Sequence, residues 1–499
     1  MASSTADSEA MAELRERLGE ITDLHAASAL LGWDRETVMP RAGAPARGEV
    51  SATIERLSHD RLADPALGEL LDAVAKQAEP GSEAAVIARV VRRDHERAVR
   101  IPSELTAAMA RSTAEALPAW QRARAESDFA LFQPHLERNV ALRRDLAACF
   151  PDADHPYDAL LDAFEPGAKS ATVREVFARL SAGLVPLVAA IGERPQPEPL
   201  PGTFAASAQR VLALEMARCF GFDAASWRVD DSVHPFMSGI ARTDIRVTSR
   251  WHESDLAGVF AVMHEVGHGL YEAGIDPALD RTTLGTGVSL GIHESQSRLW
   301  ENQVGRSEAF WRHWLPRAAE LFPQLRGMQL EAFLRAVNVV CPSLIRVEAD
   351  EATYALHVIL RFELEVALVE GTLAVADVPA AWNERMSALL GVEVPDDAQG
   401  CLQDIHWAFG ELGYFPTYAL GNIVSGQLWR AARAALPDLG DALANGDCAP
   451  LRMWLGEHVH RHGRRLDPAD VLRGATGEEL DPQPLLDYLT EKYTALYGL

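Results

Sequence analysis

His264 and His268 stand four residues apart in SDLAGVFAVMHEVGHGLYEAGIDP, residues 254–277, and Glu265 directly follows the first of them. On a helix this spacing stacks two imidazoles on one face, with Cβ atoms about 5–6 Å apart. Imidazoles so placed can share one tetrahedral zinc ion. Glu265 is rotated off the ligand face but stays beside the metal. A carboxylate there can take a proton from water that zinc has brought to a pKa of about 7. This is the HExxH pattern, two metal ligands and a general base. A match this short also arises by chance. Gly267 and Gly269 argue against chance here. Glycine inside a helix costs about 1 kcal/mol against alanine, so two close together point to a need for space.

A catalytic zinc needs a third protein ligand and an open position. GIHESQSRLWENQ (291–303) follows a turn rich in glycine (Gly285, Gly287, Gly291) and offers His293 and Glu294 at the start of a second helix. A short loop and an antiparallel return bring either one to the metal. Spacing alone does not choose between them.

The elements that must hold these groups are mostly helical. Around the motif, Ser254 is the expected N-cap, with Asp255 favourable in the first turn. Gly274 and Pro277 supply the stop, and apolar residues at 256, 259, 260, 263 and 270 form a buried stripe. The stretches 10–33 and 173–192 repeat apolar residues at helical steps. The best strand is DIRVTSRW (244–251), with Ile245, Val247 and Ser249 on one face and Arg246, Thr248 and Arg250 on the other. RPQPEPLPG (194–202) reads as a loop inside one body rather than a domain boundary. The expectation is a single, mainly α domain over residues 1–499, bilobed, with a small β-element near residue 245.

Composition bounds the partners. Hydrophobic residues make up 48% of the 499, ample for a large core. A formal net charge of -25 repels phosphate backbones, so nucleic acid is not an expected partner. Five cysteines, with no CxxC pair, fit free thiols in a reducing compartment. The N-terminus has no apolar signal core and no stretch approaches a membrane span, so the expectation is a cytoplasmic protein without a membrane partner.

Nine short segments carry a resemblance. WDRETVMPRAG (33–43), YDALLDAFEPG (157–167), HPF (234–236), DIRVT (244–248), HEVGH (264–268), HESQSR (293–298), IRVEAD (345–350), GCLQDIHW (400–407) and GYFPTYALGN (413–422) occur in this order. Together they resemble the carboxypeptidase Taq family of metallocarboxypeptidases, over most of the chain. The resemblance implies a helical fold related to neurolysin and the angiotensin-converting enzymes, bilobed around a deep active-site cleft. It also implies a homodimer, zinc or cobalt as metal, and broad-specificity release of C-terminal residues from peptides with a free C-terminus. It assigns the third ligand to the glutamate of the HES motif, Glu294.

Release of a C-terminal residue calls for a fixed cation, and the arginine fork matches a carboxylate best. Arg346 is the first candidate; its alternative is an ordinary ion pair with Glu348, Asp350 or Glu351. Arg246 is the second, with Asp244 orienting it or binding substrate, on a strand that could also pair with the substrate backbone. The oxyanion needs donors besides zinc. His406 and Tyr418 are the best candidates, and His234 is another. Gln403 is expected to hold the peptide near His406, while Trp33 and Asp34 support structure. In this reading Glu265 deprotonates the attacking water and then protonates the leaving amine. A zinc endopeptidase or dipeptidyl carboxypeptidase on the same scaffold is the rival enzyme. A silent peptide-binding scaffold would need a broken ligand or base, and none is broken here.

Overall fold

The structure, a computed structural model, describes residues 2–499, with side chains from Glu9 onward. It is mostly helical, with one three-stranded sheet. Two large apolar cores account for the two lobes. One is built mainly from residues 116–191 and 340–423 and closed by the C-terminal helix Gln483–Tyr497. The other is built from residues 204–337 and 424–472. A third, smaller core joins the N-terminal helices to Ile275, Leu279 and Leu284. The loop 194–202 runs between the first two cores without separating them into independent bodies, because Leu480, Tyr488 and Leu496 pack against both.

The motif helix spans Ala257–Ala273. It starts later than the expected Ser254 cap. Asp255 Oδ1 accepts from the Ala257 N–H at 2.9 Å, and Ser254 Oγ donates to Asp255 Oδ2 at 2.8 Å. Asp255 therefore does the capping, and Ser254 steadies it.

The strand expected near residue 245 is β3, Asp244–Ser249. It is the central strand of the sheet. β1 (Trp227–Asp231) runs parallel to it with Trp227 opposite Ile245, and β2 (Met237–Ala241) runs antiparallel with Met237 opposite Val247. Ile245 and Val247 are fully buried against the motif helix side, whereas β1 and β2 are short and mostly half-buried or exposed, with little alternation of burial.

The two motif glycines have separate neighbours. A Cβ on Gly269 would lie 2.8 Å from Ile245 Cγ2, so this glycine seats the helix on the sheet. A Cβ on Gly267 would lie 2.6 Å from Ser297 Cα and 2.7 Å from the Gln296 carbonyl oxygen. Backbone cannot swing aside as a side-chain tip can. Gly267→Ala is therefore expected to destabilise the protein by about 1–3 kcal/mol through overpacking, although alanine is the better helix former. A urea midpoint equal to the wild type would show that the two helices can part at no cost.

One sequence expectation needs correcting. Among the described residues, the helix Ser170–Gly192 is long and apolar enough to cross a membrane by length and composition. Its stripe of Val173, Val176, Phe177, Leu180, Leu184, Val188 and Ile191 is buried in the first core. Its apolarity is therefore used in packing against its neighbours. All five cysteines are unbonded thiols.

Candidate metal centre

The motif helix presents His264 and His268 to Glu294, which sits on the helix Leu290–Arg298. That second helix begins at Ser289, whose Oγ accepts from the Ile292 N–H at 3.1 Å. Glu294 Oε2 lies 3.6 Å from His264 Nε2 and 3.5 Å from His268 Nε2. Tetrahedral bonds of about 2.0–2.2 Å separate donor atoms by roughly 3.3–3.6 Å. The donor set thus matches such an ion in both chemistry and spacing.

The far side of each imidazole is also tied down. His264 Nδ1 meets Glu301 Oε2 at 2.9 Å. His268 Nδ1 meets His293 Nδ1 at 2.6 Å, and His293 Nε2 meets Glu272 Oε1 at 2.9 Å. With Nδ1 engaged in each ring, Nε2 is left to face the common point. The two residues that spacing could not separate have different tasks. Glu294 joins the ligand cluster and His293 braces His268 from behind.

Glu301 sits in the last part of this assembly, a π-helical turn over Leu299–Val304; the N–H of Gly305, just after it, reaches back to the Trp300 carbonyl at 2.9 Å. Burial pushes the Glu301 carboxyl up, but the His264 hydrogen bond and Arg298 outweigh it and hold it at about 2. Burial also pushes Glu294 up, and Arg298 with the two histidines holds it well below the usual carboxylate range. Both carboxylates are therefore anionic throughout the working range. Outer-shell carboxylates of this kind are worth about 10–100-fold in metal affinity. Glu301→Gln is expected to lose its metal to a chelator at correspondingly lower chelator concentration, with the metal content of the undialysed protein as the reference. Unchanged retention would mean that Glu301 serves only the Arg298 and Arg306 ion pairs.

Glu265 shares the motif helix but lies off the ligand triad. It is 7% exposed, and burial raises its carboxyl to about 7. A base poised near neutrality suits proton transfer to and from water.

Arg346 is placed by the other lobe. It is 5% exposed, and Asp404 Oδ1 accepts from its Nε at 3.0 Å and its Nη2 at 2.8 Å. Its Nη1 donates to the Tyr354 hydroxyl at 3.0 Å. The ion pair expected with Glu348, Asp350 or Glu351 is thus made with Asp404 instead. Asp404 Oδ2 also accepts from Nε of the fully buried Arg361 at 2.6 Å. Two guanidiniums against one carboxylate leave one positive charge unmatched. Tyr354 links this cluster to the metal side: Arg298, which donates to Glu294 Oε1 at 2.7 Å, lies 4.1 Å over the Tyr354 ring.

Gln403 does a different job from the one its position suggested. Its Oε1 accepts from the Arg346 N–H and from Arg361 Nη2, both at 2.8 Å, and its Nε2 donates to the carbonyls of Leu344, Gln399 and Gly400. Its amide is fully committed to holding the two arginines and their loops, so it has no group to spare for a peptide.

His406 and Tyr418 lie together, with Nε2 and hydroxyl 3.4 Å apart. His406 Nδ1 is buried without a partner, and burial pushes the ring down to about 4. It stays neutral near neutral pH and keeps unused hydrogen-bonding capacity. Burial likewise pushes the Tyr418 phenol well above its ordinary value, so it remains a donor. Tyr418 precedes Gly421 on the helix Pro416–Ala435, and Gly421 lets that helix pass close to Glu294; a Cβ there would lie 2.6 Å from Glu294 Cγ.

Arg246 and Asp244 pair with each other, Nε to Oδ1 and Nη2 to Oδ2 both at 3.0 Å, and Arg246 stacks 4.3 Å over Trp33. Asp34 pairs with Arg47 at 2.6 Å. Trp33 thus ties the first helix to the sheet, and Asp34 ties it to the helix Ala44–Leu62 that follows. The expectation that β3 could add a substrate strand is overturned, since both of its edges are already occupied by β1 and β2. His234 is exposed in the connection between β1 and β2. The residues that sequence reasoning missed are Glu301, Glu272, Arg298, Tyr354 and Asp404. Arg298 and Asp404 carried a signal, as the basic residue closing the HESQSR segment and the acidic residue inside GCLQDIHW, and Glu301 lies within the quoted stretch 291–303.

Comparison with known proteins identifies the family. The family model described as carboxypeptidase Taq (M32) metallopeptidase matches residues 13–493. The thermostable carboxypeptidase 1 of Thermus thermophilus is 42% identical over 495 residues, covering 96% of this chain and 97% of that protein. Carboxypeptidase 1 of Bacillus subtilis is 38% identical, covering 98% of each. The crystal structure of the M32 carboxypeptidase from Deinococcus radiodurans superposes with a TM-score of 0.96 at 41% identity, covering 98% of this chain and all of that one. A match along nearly the whole chain, together with a donor triad suited to a metal ion, places this protein in the carboxypeptidase Taq (M32) family of metallopeptidases.

Proposed function

We propose that this protein is a zinc-dependent carboxypeptidase that removes single residues from the free C-terminus of peptides with broad specificity. The observation that carries this reading is the convergence of His264 Nε2, His268 Nε2 and Glu294 Oε2, with Glu265 beside them. Two imidazoles and a carboxylate suit zinc and also accept cobalt. When bound, the ion supplies Lewis acidity, polarising a carbonyl and acidifying water at its open position.

The chain's own groups do the rest. Glu265 takes the proton of the attacking water and returns it to the leaving amine. The unmatched positive charge around Arg346 and Arg361 draws the terminal carboxylate, and Arg346, held by Asp404 and Gln403, is the group that meets it; Arg246, with Asp244, is the second choice. His406 and Tyr418 donate to the developing oxyanion, and His234 is a lesser candidate for substrate contact. The protein works as one domain over residues 1–499, as a cytoplasmic homodimer, on peptides rather than nucleic acid or membrane.

Mass spectrometry of one peptide, with a free and with an amidated C-terminus, tests the reading. The expected result is a ladder of single-residue losses from the free peptide only, abolished by chelator and restored by zinc or cobalt. Internal cuts, or dipeptide release, would give the site to an endopeptidase or dipeptidyl carboxypeptidase instead.

A further inference from the structure

Two thiols outside the ligand cluster have no part in this chemistry. Cys219 lies one residue before the end of the helix Ala206–Phe220, and Cys448 immediately precedes the helix Ala449–His458. Their sulfurs are 2.6 Å apart, although 229 residues separate them in sequence. That is about half an ångström beyond a disulfide bond of about 2.05 Å. Cys219 is partly exposed, and its thiol donates to the Gly446 carbonyl at 3.2 Å. Cys448 is 1% exposed and sits behind it. Cys149 and Cys341 have only backbone carbonyls as sulfur contacts.

We propose that Cys219 and Cys448 are a redox-reactive dithiol, in which Cys219 meets a peroxide and Cys448 resolves it to an intramolecular disulfide. The order follows from access, since only Cys219 is open to solvent. The Cys448 hydrogen bond lowers the Cys219 thiol from its ordinary value, while the same contact and burial raise Cys448. The more exposed sulfur is thus also the better thiolate. In the first step the Cys219 thiolate attacks one peroxide oxygen and the O–O bond breaks. The departing hydroxide takes up the proton the thiol released, leaving a sulfenic acid and one water. In the second, the Cys448 sulfur displaces the sulfenic hydroxyl, which leaves as water with the Cys448 proton. The two sulfurs lose two electrons and the two peroxide oxygens gain them.

The bond would clamp the end of one helix to the start of another. Phe220, next to Cys219, packs on Trp300 in the π-helical turn with ring centroids 4.5 Å apart, so the clamp lies one residue from the wall behind Glu301. A cross-link closing so long a loop restricts the unfolded chain strongly.

The test uses the full-length protein, treated with hydrogen peroxide, alkylated without reduction, and digested. The expected result is a linked pair of peptides containing Cys219 and Cys448, with Cys341 still alkylated, and a melting temperature that rises by several degrees and falls back with dithiothreitol. In Cys219→Ser and Cys448→Ser both the link and the rise disappear, while Cys341→Ser leaves both in place. Five alkylatable thiols after peroxide, or sulfinic acid at Cys219 with no linked peptide, would overturn the proposal; the wild-type map decides this even if a variant folds poorly.

Discussion

Glu265→Gln is expected to keep its metal and lose turnover by about 10²–10⁴-fold, the range a positioned general acid–base supplies. The change is isosteric at a nearly buried position and leaves His264, His268 and Glu294 in place. It removes a carboxyl beside the triad that can both take and give a proton near neutral pH, because burial sets it at about 7. The amide can neither accept the proton of water nor return it to an amine. The measurement is kcat on a free-C-terminus peptide, with metal content determined on the same sample. A variant within tenfold of wild type at full metal content would remove Glu265 from the mechanism. One that also loses its metal would show that Glu265 helps build the site rather than run it.

The second large effect is one of stability. Asp404 is the single carboxylate between Arg346 and Arg361, which are 5% and 0% exposed. Burial pushes Asp404 up, but the two guanidiniums prevail and hold it well below the usual range. Asp404→Asn keeps the shape and deletes the charge, so two buried cations face each other without a counter-ion. Breaking a buried ion pair from one side costs about 3–5 kcal/mol. The expected result is a large fall in the denaturation midpoint, and kcat/KM falls with it as Arg346 loses its anchor. A midpoint near wild type would mean that Gln403 and Tyr354 hold the arginines without help. A normal midpoint with normal kcat/KM would mean that Arg346 keeps its working position without Asp404.

What the sequence disclosed follows the range of the interactions involved. His264, Glu265 and His268 were legible because a helix fixes their relation locally. The mainly α fold was legible for the same reason, as periodic burial. So was the strand, although it ends at Ser249 rather than Trp251, and Thr248, expected on the face opposite Val247, is also fully buried. Glu294 and His293 were not separable by spacing, since neighbouring residues at a helix start both reach the same region; the choice of Glu294 came from the resemblance, and the close packing of Gly267 against Ser297 belongs to the folded chain. Asp404 and Glu301 act through partners dozens of residues away, and no local period encodes that. β1 and β2 escaped notice because each has five residues and little alternation of burial. Gln403 looked like a substrate contact only because its neighbour His406 did; its amide is consumed by loops that come together in the folded chain.

The wide turn at Leu299–Val304 has a bearing on which changes this protein can absorb. An α-helix advances about 100° per residue, and i to i+5 bonding takes up one residue more in a turn. Upstream of the turn the helix aims Glu294 and Arg298 at the metal site; within it, Glu301 still reaches His264 while Trp300 and Val304 are directed into the second core. The turn acts as a phase adjuster between two strips of one helix. Losing a single residue there would rotate one strip against the other, separating the ligand from the carboxylate that braces its partner histidine. What this stretch must preserve is its number of residues, more than the identity of any one of them, whereas the loop at 194–202 carries no such angular debt.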